Sequence, residues 1–572
     1  MDSLKALYNK YYKSKDIIIF IFLLIIAGFC SIYLGMERQW DTLNYHIYNP
    51  YAFLTGRMNI DIMPAGIQSY FNPLLDIPYY LLIKYNNNHP CINTFLMGFD
   101  FALFIFMIYK ISSLIFKNYY KNFIVIFCII CASATYIVYR HIGFLSHDLF
   151  LNALGLVGVY YLLKALDKEH FKLKYIIIAG LSTGLACGLK YYASVFALPT
   201  VLTALIFIKN FKKPKSALIA LLSSSVIGFL ITGGFWVYKL YITFGNPFMP
   251  YFNSIFLNPN INIDNIYRLD FPNYDIRYKL FYPFTAKWGI WMNMLYFTFI
   301  ANFLLFKFFD KNDFESRYKI KNIHINFLIC FLFIAYLYWV NYLAVARYFI
   351  FAAGLSSLIL FALALKFLHI LFAKSKYVPS LNVINIIAIV VITSGIIIGN
   401  LYEKKKRVYR INPLFMHTTL SIDNTRILIP DNAIVLNLHG TGFIIPFLNP
   451  NAKYIHLNSK VFTRIDSNLF TQQKLNEITK LIKNNKDSVY FISKYRYRHR
   501  YNNIERYQIT NIKKLIKMNK QMPQETLISE YRASLYELDK LGIDMHPEYC
   551  NRIFVNYFRY PFYLCKMRLK NE

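Results

Sequence analysis

The sequence predicts an all-α polytopic membrane protein of about eleven transmembrane helices, followed by a small C-terminal α/β domain outside the cytoplasm. Three observations lead there. Of 572 residues, 56% are hydrophobic and 19% aromatic, with a mean hydropathy of +0.34, which is not the composition of a soluble protein. Apolar stretches of about 17 to 25 residues, enough to cross roughly 30 Å of hydrocarbon as helix, recur from Asp16 to Tyr402. After Leu401 the long runs give way to short alternating ones in a lysine- and asparagine-rich background.

The expected spans are 17–35, 92–116, 122–139, 146–165, 174–189, 191–208, 216–241, 288–307, 323–344, 348–371 and 380–401. The first lacks a small-residue cleavage site before "GMERQWD" and reads as a retained anchor. The formal charge of +33 lies largely in short loops such as "KNYYKN", "DKEHFKLK" and "KNFKKPK", where it reports cytoplasmic sidedness rather than nucleic-acid binding. Putting these loops on one side requires residues 175–208 to go out and return, as two short helices turning near Lys190. "EKKKR" at 403–407, directly after the last span, is the one basic flank that this topology misplaces outside.

The chain then divides into a transmembrane domain, 1–401, carrying long outer loops at 35–91 and 242–287, and a soluble domain, 402–572. In the latter "AIVLNLHG", "KYIHL" and "SVYFIS" read as strands and "TQQKLNEITKLIKNN" as a helix. Cys128 and Cys131 sit in an apolar helix as small hydrophobes, whereas Cys550 and Cys565 would be able to form a disulfide if the terminal domain faces an oxidising compartment. "KYRYRHRYNNIERY" alternates basic and aromatic residues, as a solvated basic segment or as a surface for anionic glycans or headgroups.

Polar residues collect on the outer side of this topology. In "MERQWDTLNYHIYNPYAFLTGR" a surface helix over Trp40–Asn49 would put Asp41, Tyr45 and Tyr48 on one face, with Asn44 and His46 close by. A carboxylate at the lip of the bilayer, flanked by hydrogen-bonding aromatics, suits a general base; an interfacial aromatic belt is the plainer alternative. The loop from there to the second span is expected to lie along the membrane surface. Later outer turns present Arg140, His141, His147 and Asp148 in "YRHIGFLSHDLF", Lys190 in "GLACGLKYY", and Arg347 and Tyr348 in "AVARYF". His147 and Asp148 are adjacent and lack the spacing of metal ligands, so the sequence gives no support for a metal or other cofactor.

The order of acidic first loop, acidic loop after the third span, "GLACGLK" helix pair, "FGNPFMPYFN" and late "ARY" resembles the GT-C superfamily of integral-membrane glycosyltransferases, in its protein O-mannosyltransferase-like and aminoarabinose-transferase-like branch. The resemblance covers roughly residues 15–400. It implies sugar transfer, with inversion, from a polyprenyl-phosphate carrier to a glycan, lipid or protein acceptor on the extracytoplasmic face of the bacterial inner membrane. It also implies Asp41 as the first-loop acid. Many members carry a tandem acidic pair there, where this chain has Asp41 followed by Thr42, and Asp148 is the candidate for the second acid. Tyr45, Tyr48, His46, Arg140, His147, Lys190, Arg347 and Tyr348 are the candidate substrate contacts, with Arg347 and Lys190 foremost for the phosphate. A lipid-linked oligosaccharide polymerase or ligase would favour arginine-rich outer loops with little acid. A transporter or flippase would place its ionisable residues near the bilayer midplane.

Overall fold

The structure, a computed structural model, describes residues 2–37, 39–116, 121–260, 320–342, 345–372, 410–423, 429–437, 440–456, 470–494, 543–556 and 562–569. The expected spans 288–307 and 380–401, the cluster 403–407, the outer loop beyond residue 260 and the basic stretch beyond Lys494 lie outside the described residues. The chain forms two compact units, each assembled from three segments: Met1–Leu34, Phe95–Phe235 and Arg268–Val408 in one, Gly35–Thr94, Trp236–Tyr267 and Tyr409–Glu572 in the other.

The first unit is helical. Its long helices are α1 (Asp2–Leu34), α2 (Phe99–Ile115), α3 (Lys121–Ala134), α4 (Asp148–Ala165), α5 (Leu173–Leu189), α6 (Ser194–Ile206), α7 (Pro214–Phe229), α8 (Asn322–Tyr342) and α9 (Ile350–Phe372). Six described helical stretches are long and apolar enough to cross a membrane: Ser14–Leu34, Pro90–Ile115, Asp148–Ala165, Pro214–Phe244, Asn322–Tyr342 and Ala346–Phe367. Phe123–Ala134, Leu173–Leu189 and Tyr191–Ile206 are shorter apolar helices. Each coincides with an expected span. The stretch expected at 122–139 ends earlier, because Thr135 leaves helical geometry (ψ 126°) before a short turn at Tyr136–Arg140.

The out-and-back pair at 175–208 is present as α5 and α6. Lys190 separates them in extended conformation (φ −146°, ψ 125°), followed by a 3-10 turn at Tyr191–Ala193. Hydrocarbon gives little drive for two helices to associate, so close packing of small residues must supply it. Gly180, Gly184 and Gly188, spaced four apart on α5, provide that surface. A Cβ on them would stand 1.9 Å from Ser224 Oγ, 2.0 Å from the Ser225 carbonyl oxygen and 2.3 Å from Thr232 Oγ1, on α7 and its continuation.

The second unit is built on a six-stranded mixed sheet. Its strands are β3 (Ile422–Asp423), β4 (Ile434–Asn437), β5 (Lys453–His456), β6 (Val489–Lys494), β7 (Ile543–Val555) and β8 (Phe562–Leu569), in the order β3-β7-β8-β6-β4-β5. β4 runs parallel to both β5 and β6, with helix α10 (Gln472–Asn484) preceding β6; β8 and β7 add antiparallel. Cys550 and Cys565 face each other across β7 and β8 and are disulfide-bonded. Two short strands, β1 (Met36–Glu37) and β2 (Arg410–Ile411), pair antiparallel.

The first outer loop does not run as a free amphipathic segment along a surface. Met63, Ile67 and Tyr70 share one buried core with Trp236, Leu240 and Met249 and with the sheet residues Leu436, Ile455 and Phe491. Ile62 bridges to Ile455, with Ile62 N donating to the Tyr454 carbonyl and His456 N to the Ile62 carbonyl, both at 2.9 Å. The Trp236 indole donates to the Tyr70 carbonyl at 2.9 Å, and Asn437 Nδ2 to the Pro64 carbonyl at 2.6 Å. The reason is burial: the loop's apolar residues have a sheet to cover, which a reading of local periodicity does not reveal.

The glycine seam predicts that Gly184→Leu lowers stability by about 1–3 kcal/mol or more, since backbone oxygen cannot yield as a side chain would. Gly234→Ala, whose nearest contact is a Leu230 methyl at 3.4 Å, should be near neutral. Thermal unfolding of the detergent-solubilised pair checks this.

Candidate functional site

In the helical unit, the candidate residues Asp148, Lys190, Arg347 and Tyr348 meet at helix ends. Asp148 opens α4 after His147, which takes left-handed geometry (φ 51°). One Asp148 oxygen accepts from the Tyr192 hydroxyl, and the other lies 3.6 Å from Arg347 Nε. Arg347 stands on the 3-10 turn Ala346–Phe349 that leads into α9. Its guanidinium lies 5.5 Å from the centroid of the Tyr348 ring, and Tyr348 stacks on Tyr192 with centroids 3.8 Å apart.

Asn152, one turn beyond Asp148, fixes that arrangement. Its Oδ1 accepts from Phe351 N at 2.9 Å, and its Nδ2 points to the carbonyls of Asp148 and Arg347, at 2.6 and 3.5 Å. Lys190 Nζ donates to the Ser146 carbonyl at 2.7 Å, and His147 Nδ1 lies 2.8 Å from Asp100 Oδ2. Arg140 is half-buried at the end of its short helix. His141 beside it is buried, and desolvation lowers its pKa to about 4, so it is neutral at physiological pH. Tyr192, Asn152 and Asp100 were not singled out from sequence. The i, i+4 relation of Asp148 and Asn152 is visible there, but the partners of Tyr192 and Asp100 are not.

In the second unit, Asp41 is half-buried and helical, at the entrance to a π-helical turn over Thr42–His46. A break at Ile47 separates this turn from the short helix Tyr48–Leu54. The regular helix expected over 40–49 is therefore absent, and with it the single face shared by Asp41, Tyr45 and Tyr48. A π turn places residues five apart in register rather than four. Tyr45, His46 and Tyr48 are all buried. Tyr45 lies against the His46 ring (4.1 Å) and edge-on to Phe71 (5.4 Å). Asn44 Nδ2 donates to the Ala65 carbonyl at 2.7 Å and Asn49 Nδ2 to the Gln68 carbonyl at 2.8 Å.

Two carboxylates of the loop have larger roles than the sequence shows. Tyr48 donates to Asp61 at 2.9 Å; Asp61 also accepts from Tyr454 N at 3.0 Å and pairs with Arg57, whose guanidinium donates on to the carbonyls of Pro450 and Ala452. Asp76 Oδ1 lies 2.8 Å from His46 Nδ1. Asp61 and Asp76 each end on the tyrosine-bearing segment. A carboxylate accepts, so Asp76 takes the hydrogen of His46 Nδ1 and fixes the orientation of the ring.

Glu37, four residues before Asp41, was also missed. It is buried on β1, accepts from Thr42 Oγ1 and from Gln39 N (2.8 Å), and has its pKa raised above 4.5, first by desolvation and further by the charge of Asp41. The only signal in the sequence is one more acid in a loop that also carries Asp41, Asp61 and Asp76. Among the described residues, Asp167, Glu169 and His170 offer ligand atoms within 4.8 Å of one another. Asp167 there is already paired with Lys321 at 3.1 Å and His170 at 3.2 Å, which satisfies it without an ion.

Removing one partner of a buried ion pair typically costs about 3–5 kcal/mol. Asp61→Asn should therefore lower the unfolding midpoint strongly, and the double variant Arg57→Met/Asp61→Leu much less; thermal melts of the two decide it. For Glu37 the sign runs the other way from an ordinary ion pair. A carboxyl whose folded pKa is raised contributes stability at low pH that is lost as pH rises through the folded value. Glu37→Gln should hence be stabilising relative to the parent at pH 7.5 and near neutral at pH 4.5, by melts at the two values.

Residues 94–232 match the family model described as dolichyl-phosphate-mannose-protein mannosyltransferase. A crystal structure of ArnT from Cupriavidus metallidurans bound to undecaprenyl phosphate is similar at a TM-score of 0.43 and 9% identity, over 83% of this chain and 92% of that one. No match is found among curated proteins. The matched segment contains Arg140, His147, Asp148 and Lys190. It carries the resemblance of this chain to the membrane glycosyltransferases of the GT-C superfamily.

Proposed function

We propose that this protein is a multi-pass glycosyltransferase that moves a sugar from a polyprenyl-phosphate carrier to an acceptor on the extracytoplasmic face of a bacterial inner membrane, in the synthesis or modification of an envelope glycan. The observation that carries the reading is the family match over residues 94–232, whose description names a dolichyl-phosphate sugar donor. The geometry of the helical unit agrees with it. Asp148, Lys190 and Arg347 stand at helix ends rather than mid-helix, where a lipid phosphate at the membrane boundary would meet them. A transporter would need its charges near the middle of the spans. The disulfide between Cys550 and Cys565 supports an oxidising compartment for the sheet-bearing unit.

Each group takes its role from its own chemistry. The acceptor hydroxyl attacks the anomeric carbon as the bond to the phosphate oxygen breaks, inverting that carbon. The proton passes to a base, and the leaving phosphate keeps the electron pair. Asp41 is the base, at the start of a turn whose following side chains are locked by Asp61, Asp76 and Ala65. Arg347 and Lys190 take the charge developing on the phosphate. Asp148, engaged by Tyr192 and Arg347, holds the guanidinium in position.

The test is transfer from a panel of polyprenyl-phosphate sugars by purified protein in nanodiscs, together with binding of polyprenyl phosphate. Asp41→Asn should lose about a hundred- to ten-thousand-fold in rate with lipid binding kept, whereas Arg347→Gln should weaken lipid binding. Near parental turnover in a folded Asp41→Asn protein returns the Trp40–Asn49 segment to an interfacial anchor.

A further inference from the structure

The segment after the span Pro214–Phe244 has its polarity reversed. Between Gly245 and Asn260 the chain carries no charged residue; Met249 enters the buried core, three asparagines are buried, and Phe252, Ile255 and Leu257 are turned outward. Asn246, Asn253 and Asn258 are 0%, 5% and 6% exposed; Phe252, Ile255 and Leu257 are 58%, 68% and 74% exposed. The asparagines satisfy the backbone from within. Asn246 accepts from Phe248 N and donates to the Tyr251 carbonyl, both at 2.9 Å. Asn253 accepts from Asn258 N at 3.1 Å, and Asn258 donates to the Phe244 carbonyl at 2.8 Å and accepts from Asn260 N at 2.9 Å. Phe252 and Leu257, which bracket the short helix Asn253–Phe256, both take left-handed geometry (φ 57° and 50°), a costly choice for large side chains.

In water this arrangement has nothing to recommend it: polar groups are withdrawn, apolar ones displayed, and strained backbone is spent on displaying them. At the edge of a bilayer it is the favourable one. The segment begins one residue after the span ends, and Tyr238, Tyr241 and Ile242 in the last turns of that span are exposed as well. A second patch of the same unit behaves alike. Leu414 and Phe415, on the turn Pro413–Phe415, are 65% and 64% exposed, and β2 just before them pairs with β1, two residues after the span Ser14–Leu34.

We infer that Phe252, Ile255 and Leu257, with Leu414 and Phe415 as a second point, are membrane feet: apolar side chains that insert at the acyl boundary of the lipid leaflet and seat the sheet-bearing unit on it. With no charge between residues 245 and 260, insertion at this patch is driven by apolar burial and not by headgroup charge.

The test uses the full chain in phosphatidylcholine–phosphatidylglycerol nanodiscs. Leu257→Cys and Phe252→Cys are labelled with an environment-sensitive fluorophore, with the parent labelled in parallel to subtract the native thiols. Quenching by a nitroxide near the headgroup end of the acyl chain should exceed quenching by aqueous iodide by about twofold or more. Stronger quenching by iodide overturns the proposal, because the patch then faces water. Protection from both quenchers overturns it too, because protein then covers the patch. Should the variants not fold, unmodified protein photolabelled with a photoactivatable phospholipid decides: adducts on the peptide 245–260 are expected, and their absence there alongside adducts on the spans overturns the inference.

Discussion

The second unit depends on one buried ion pair. Arg57 and Asp61 are almost wholly withdrawn from water, and each buried charge costs several kcal/mol before anything is gained. The pair persists because every polar atom around it has a specific partner: Arg57 reaches the carbonyls of Pro450 and Ala452, and Asp61 accepts from Tyr48 and from Tyr454 N. Those partners come from two stretches nearly four hundred residues apart. Neither stretch can satisfy the charges alone, so the outer loop acquires its shape only when the strand at Lys453–His456 is in place. Arg57 also lies over the Tyr454 ring, 5.3 Å from its centroid, which adds attraction that a lysine would supply less well.

The geometry around Asp41 follows from that frame. Tyr48 is fixed by Asp61, His46 by Asp76, Asn44 and Asn49 by loop carbonyls, and the turn between Asp41 and Tyr48 must bridge these fixed points. A straight α-helix does not, and the chain takes an extra residue per turn. Wide turns of this kind recur at functional sites because they redirect one side chain without disturbing its neighbours. The residues that helical spacing puts beside Asp41 are the scaffold of its turn.

The legible parts of the fold are those set by local pattern. Apolar length marked the spans, the pause at "GLKYY" marked the break between two short helices, and alternation marked β4, β5 and β6. A repeat of glycines every fourth residue in "AGLSTGLACGL" was present in the sequence, and only its packing against Ser224, Ser225 and Thr232 shows what it is for. Pairings at long range were not legible. Nothing near "GRMNID" says that Asp61 will face Arg57 and a distant backbone amide rather than solvent, and a glutamate on a two-residue strand looks like any surface acid until Thr42 and burial are seen. The polar outer turns were found by counting charges, but which of them touch was not: Arg347 meets Asp148 across about two hundred residues of chain, through Tyr192 and Asn152, which no spacing rule selects.

Asp148 and Asp41 then differ in kind. Both oxygens of Asp148 are engaged, one by a phenol and one by a guanidinium, so taking a proton would break the contacts that orient Arg347. Asp41 instead opens the π turn over Thr42–His46, and Glu37, four residues before it, is buried, which raises its pKa. In the proposed reaction Asp61 and Asp76 hold the loop, Asp148 holds the cation, and Asp41, at the start of the π turn, is the proposed base.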